Sequence, residues 1–121
     1  MKAVTSEIEK NVVAPKSVMF ALKIMRMYKR LCSMGSDRII ATQLLQSGTS
    51  IGASVRDAEL TESKTEFLYL INRALKEAHT TAYCLILIKE RSFISAEEYE
   101  KLNAACNEIT TLLSDIIDQL Q

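Results

Sequence analysis

The chain has 121 residues, enough for one hydrophobic core and too few for two. Apolar residues at 48% and charged residues at 25% argue against intrinsic disorder, and 15 basic residues balanced by 15 acidic ones leave no bulk positive charge to attract nucleic acid. One proline, three glycines and no tryptophan are too few turn residues for a sheet protein, so few, long elements and an all-α fold are expected.

Cys32, Cys84 and Cys106 are widely spaced and form no CxxC pair. An odd number of cysteines, without the charged-then-apolar layout of a secretory signal, reads as reduced thiols in a cytoplasmic protein. His79 is the single histidine, which argues against a structural metal site, and no cofactor is expected. No apolar run approaches the roughly 20 residues of a membrane-spanning helix, so no membrane partner is expected. Charge is unevenly placed along the chain. Residues 16–38 hold six basic residues and one acidic, whereas residues 97–121 hold one basic and six acidic. Complementary first and last helices lying side by side account for this, and a cationic patch for nucleic acid is the alternative.

In chain order, residues 1–16 read as a lead-in, in which Val12 and Val13 tuck against the rest and Pro15 fits an early helical position. Residues 17–121 read as one four-helix domain. The first helix is expected over 17–34. Phe20, Ile24, Met27 and Leu31 form one stripe, with Ala21, Met25, Tyr28 and Cys32 beside it. So wide a stripe implies more than one neighbour, or another subunit. Gly35 terminates this helix, and Ser36 or Asp37 caps the next. In the second helix Ile40, Leu44, Gly48, Ile51 and Val55 keep helical phase straight through the glycines, so the helix is unbroken. Ser63 followed by Glu66 fits a capping box for a third helix reaching about residue 91. Its inner seam is Phe67, Ile71, Ala74, Ala78, Thr81 and Leu85. Ser95 followed by Glu98 fits another box, opening a fourth helix with a seam from Tyr99 through Cys106 to Leu120. The expected architecture is an antiparallel up-down-up-down four-helix bundle.

The string Gly48-Thr49-Ser50-Ile51-Gly52 matches the G-x-S-x-G nucleophile elbow, with Asp57 and His79 following in hydrolase order. That elbow requires a strand entering the serine, and the residues before Ser50 are in helical phase instead. No enzymatic activity is expected. Two glycines four residues apart read better as a helix thinned for close packing, each costing roughly 1 kcal/mol of helix stability against alanine. Ser47, Thr49, Ser50 and Ser54 would then bond back to the helix or across it. A ligand groove is the sharper alternative.

Leu44-Leu45-Gln46-Ser47-Gly48-Thr49-Ser50-Ile51-Gly52-Ala53 with Ala58, then Glu66-Phe67, Ala74-Leu75-Lys76-Glu77-Ala78, Thr81 and Tyr83, resembles the signature of the bacterial four helix bundle proteins. These are also known as 23S rRNA-intervening sequence proteins. The resemblance covers about residues 18–120. This chain departs from it at Gln46, Ser54, Thr80 and Cys84, where the family often has arginine, asparagine, glutamate and tryptophan. The resemblance implies a four-helix protomer that assembles into a homopentamer without known catalytic activity. It singles out Ser47, Gly48, Thr49, Ser50, Gly52, Lys76, Glu77, Ala78 and Tyr83 as motif residues of close helix packing. A related group, the accessory variability determinants of diversity-generating retroelements, are basic pentamers that bind a reverse transcriptase and its RNA. Three readings follow: an oligomeric scaffold that contacts RNA or an RNA-bound protein, a retroelement accessory subunit, and a serine hydrolase. For nucleic-acid contact the candidates are Lys23, Arg26, Lys29, Arg30 and Arg38.

Overall fold

The computed structural model describes residue 8, residues 11–35 and residues 37–121. Expectations for the first seven residues, for residues 9 and 10 and for Ser36 as a cap lie outside the described residues. Four long helices are present and the described residues contain no strand: α1 (Val13–Ser33), α2 (Arg38–Leu60), α3 (Lys64–Glu90) and α4 (Ala96–Leu120).

The first helix begins four residues earlier than expected, at Val13, with Pro15 inside its first turn. Proline costs no hydrogen bond there, because the first amides of a helix have no intrahelical acceptor. Val12, just before it, sits at φ 57°, a left-handed conformation that a β-branched residue adopts only under constraint. Asn11 supplies that constraint. Its Oδ1 accepts the Val13 N–H at 3.0 Å while its Nδ2 donates to the Leu112 carbonyl at 2.7 Å, fastening the start of α1 to α4. Only one of the two valines tucks in: Val13 is fully buried and Val12 is half exposed.

The remaining boundaries follow from caps. Gly35, at φ +71°, takes the left-handed position beyond α1. Asp37 accepts the Ile39 N–H at 2.9 Å to start α2. Ser63 and Ser95 accept the N–H groups of Glu66 and Glu98 at 3.2 and 3.1 Å. Neither capping box is closed by its glutamate. The Ser63 N–H donates to Thr61 Oγ1, and the Glu98 carboxylate turns outward to Arg30 at 2.6 Å. An ionised guanidinium is a stronger partner than a neutral amide, so the cross-helix bond wins.

Each seam faces inward as its periodicity implies. Phe20, Ile24 and Leu31 of α1 meet Leu44, Ile51 and Val55 of α2, together with Phe67, Ile71 and Leu85 of α3 and Ile109, Leu113 and Ile116 of α4, in one core. Helices adjacent in the chain pack on one another, and α1 also touches α4 in the loosest of the four contacts. Ile24 meets Gly48 and Ser17 meets Gly52, so residue numbers run in opposite senses across the α1–α2 contact. The same holds across α1 and α4, where Lys16 pairs with Glu108 and Arg30 with Glu98.

Candidate functional site

Two features stand out on this frame: the small-residue segment of α2, and a cationic groove between α1 and α4.

Helix α2 runs without interruption through Ser47, Gly48, Thr49, Ser50 and Gly52. A methyl group added at Gly48 would lie 2.9 Å from Cγ2 and 3.0 Å from Cγ1 of Ile24, so the missing side chain is the space that a fully buried isoleucine of α1 occupies. At Gly52 the nearest atom is Ser17 Oγ at 3.3 Å. On the neighbouring flank, Thr81 of α3 donates its hydroxyl to Ser47 Oγ at 2.9 Å, and Ser47 donates to the Gln43 carbonyl at 2.8 Å. Thin residues of α2 thus admit α1 on one side and a buried hydroxyl pair with α3 on the other, within a single chain. Thr49 and Ser50 donate back to the carbonyls of Leu45 and Gln46 at 2.7 and 2.6 Å, the usual way hydroxyl residues are accommodated in a helix. The Ser50 hydroxyl is therefore engaged with its own backbone, on a helix rather than on a strand-to-helix turn.

The second half of the motif divides. Ala78 is buried on the α3 seam, and its carbonyl accepts from the Cys106 thiol of α4 at 3.3 Å. Burial pushes the Cys106 thiol up to about 11, and the Cys84 thiol is raised for the same reason. Glu77 is half-buried. Lys76 and Tyr83 take no part in packing within the chain: Lys76 is exposed and Tyr83 retains 61% of its accessible surface. Their helical phase sets them opposite Ala74, Ala78 and Thr81, so within the chain these two positions lie outside the packed seam.

The candidate cations sort similarly. Lys23, Arg26 and Arg30, with Met27, line one wall of an open groove of about 250 Å³, whose other wall is Glu98, Lys101 and Leu102 of α4. Arg30 is held by Glu98, whose hydrogen bond raises the guanidinium pKa further, so it is less available than the other two. A smaller groove of about 90 Å³, lined by Lys16, Lys23 and Glu108 among others, continues along the same seam. Lys29 and Arg38 are exposed but line neither groove. Lys101 was not visible from sequence as a groove residue, because it lies in the acidic last helix and pairs with Glu97 at 3.4 Å. Among the described residues no group of three His, Cys, Asp or Glu side chains could hold a metal ion, and no helix is long and apolar enough to cross a membrane.

Four long helices joined by short connections, with a glycine-thinned second helix fitted between the first and third, define an all-α four-helix protein. The chain belongs to the 23S rRNA-intervening sequence protein family, whose profile matches residues 9–115. It is also similar to a crystal structure from Bacteroides thetaiotaomicron, a protein with unknown function from the S23 ribosomal protein family. The two are 42% identical with a TM-score of 0.86, over 89% of this chain and 96% of that one. No match is found among curated proteins.

Proposed function

We propose that this chain is a non-enzymatic scaffold of the cytoplasm: an antiparallel up-down-up-down four-helix bundle that self-associates and holds RNA or an RNA-bound protein against α1. The observation that carries the reading is the division of the exposed surface of α1. Val18, Leu22 and Met25 are 58%, 47% and 51% exposed along one side, an apolar strip that a second copy would cover. Lys23, Arg26 and Arg30 occupy the neighbouring side, turned towards the α4 groove. One helix therefore offers a subunit contact and a cationic ledge at once. Five copies is the stoichiometry that the family resemblance leads us to expect. The engagement of the Ser50 hydroxyl with the helix backbone supports the absence of hydrolase chemistry.

Two measurements test this proposal. Light scattering across micromolar concentrations should give a multiple of the chain mass, and Leu22→Glu with Met25→Glu should reduce it without loss of helical signal. A monomer mass throughout removes the scaffold reading. Retention of RNA at low salt should weaken in Lys23→Glu/Arg26→Glu, which spares the Arg30–Glu98 pair. Unchanged retention removes the RNA arm.

A further inference from the structure

The outer face of α3 carries side chains that neither the core nor the α1 groove uses. Tyr69 and Tyr83 are 64% and 61% exposed, high values for large aromatic residues. A surface hollow of about 370 Å³ opens beside Tyr69, lined by Tyr69, Asn72, Arg73, Lys76 and Glu77, all from this one helix, and Tyr83 stands further along the same face beyond it. Positions 69, 76 and 83 repeat every seven residues, so Tyr69, Lys76 and Tyr83 stand in one line, with Arg73 beside them. The cations are free. Lys16, Arg30, Lys89 and Lys101 each hold a carboxylate, whereas Arg73 and Lys76 have no ion pair among the described residues. Glu77, half-buried at the margin, is the only carboxylate lining the hollow.

We infer that this face is a binding platform for single-stranded nucleic acid, with Tyr69 and Tyr83 stacking on bases and Arg73 and Lys76 holding the intervening phosphates. The chemistry of the face selects this occupant. Flat aromatic rings at both ends suit unpaired bases, which duplexes hide, and unpaired cations between them suit a backbone with one negative charge per nucleotide. The fourteen residue steps from Tyr69 to Tyr83 span about 21 Å at about 1.5 Å each, room for about six stacked nucleotides at about 3.4 Å each. Asn72 adds an amide able to donate to or accept from a base edge. The platform is distinct from the α1 groove and does not depend on it.

The test uses the full chain and end-labelled oligouridylate and oligodeoxyuridylate of about 12 nucleotides, twice the estimated span, followed by fluorescence anisotropy across a salt series. The wild type should bind, and the two probes show whether the ribose matters. Tyr69→Ala and Tyr83→Ala should each weaken binding about tenfold, the usual loss of one stacked base, while Tyr69→Phe keeps the ring and the affinity. Arg73→Gln/Lys76→Gln should reduce the slope of log affinity against log salt by about 1.4, two phosphate contacts on a single strand. The Tyr69→Ala loss should persist in the Lys23→Glu/Arg26→Glu background, which separates this face from the α1 groove. No binding by the wild type, or undiminished wild-type affinity in both alanine variants, overturns the inference. So does a change in the light-scattering mass of these variants with binding intact, which would assign the face to a subunit contact. The substituted side chains are exposed, so an unchanged helical signal by circular dichroism should accompany every variant.

Discussion

Gly48→Ala separates the packing of this protein from the intrinsic preferences of its helices. In an isolated helix the substitution stabilises by about 1 kcal/mol. Here the new methyl would stand 2.9 Å from Cγ2 and 3.0 Å from Cγ1 of Ile24, and 3.3 Å from its Cβ. Ile24 is fully buried and branched at Cβ, so it has no free space to rotate into. Overpacking of that kind costs about 1–3 kcal/mol. The clash exceeds the propensity gain, and a net loss of about 1 kcal/mol is expected, or a fall of about 4 °C in Tm for a chain of this size. The assay is thermal and urea unfolding by circular dichroism at one fixed protein concentration, since association shifts Tm by mass action. A double-mutant cycle localises the effect. Ile24→Ala alone should cost about 2–5 kcal/mol through the cavity it leaves, but it removes both γ carbons that the new methyl would strike. The double variant should therefore be more stable than the sum of the single losses by about 1 kcal/mol or more. A higher Tm for Gly48→Ala, together with an additive cycle, would refute the argument that α1 occupies the glycine's space.

Gly52→Ala should behave oppositely, neutral to about 1 kcal/mol stabilising, because its new methyl meets Ser17 Oγ at 3.3 Å rather than a branched carbon; chemical denaturation decides. Ser47→Ala should cost about 0.5–1.5 kcal/mol by the same measurement, since Thr81 loses its cross-helix acceptor but can still donate to the Glu77 carbonyl at 2.8 Å. In native protein Cys32, which is half-buried, should be alkylated before Cys84 and Cys106, as judged by mass spectrometry of the modified peptides. Burial raises the folded pKa of the Cys106 thiol to about 11, above the ordinary thiol value near 9.0, so the folded state keeps its proton longer than the unfolded chain. Its stabilising contribution is complete below pH 9 and declines by about 1.4 kcal/mol per pH unit between the two values. Cys106→Ser should flatten that decline in a urea series above pH 9.

Helical phase carried most of this fold in advance. The continuity of Leu44, Gly48, Ile51 and Val55 foretold an unbroken α2, and the spacing of Leu102, Cys106, Ile109 and Leu113 foretold the buried side of α4. What phase does not convey is the identity of the neighbour. Nothing in the sequence pairs Gly48 with Ile24, because that contact depends on the relative height of two helices. Boundaries misled where a residue has two uses. Pro15 marked the expected limit of the lead-in, yet it is equally at home in a first helical turn, and the clamp from Asn11 to Leu112 is not a local pattern. The cationic groove was half legible: Lys23, Arg26 and Arg30 were read from α1, while Lys101 was hidden by its acidic surroundings. Lys76 and Tyr83 belong to the motif that the family resemblance marks for packing, yet counting by 3.6 from Ala78 places them outside the seam of this chain.

The loose contact between α1 and α4 bears on how the chain comes together. Three of the four helix contacts join sequence neighbours and can zip up as hairpins, whereas the fourth must bring together segments separated by nearly the whole chain. Along that contact, Lys16–Glu108 at 2.9 Å and Arg30–Glu98 at 2.6 Å act as two clasps beside open grooves rather than a continuous small-residue seam. Local contacts form quickly, and ion pairs at a partly exposed edge are weak and screened by salt. The α1–α4 edge should therefore close last, exchange its amides first, and open more readily as ionic strength rises. Any partner that grips the groove from both walls would act as a staple across that edge, tying occupancy of the surface to completion of the fold.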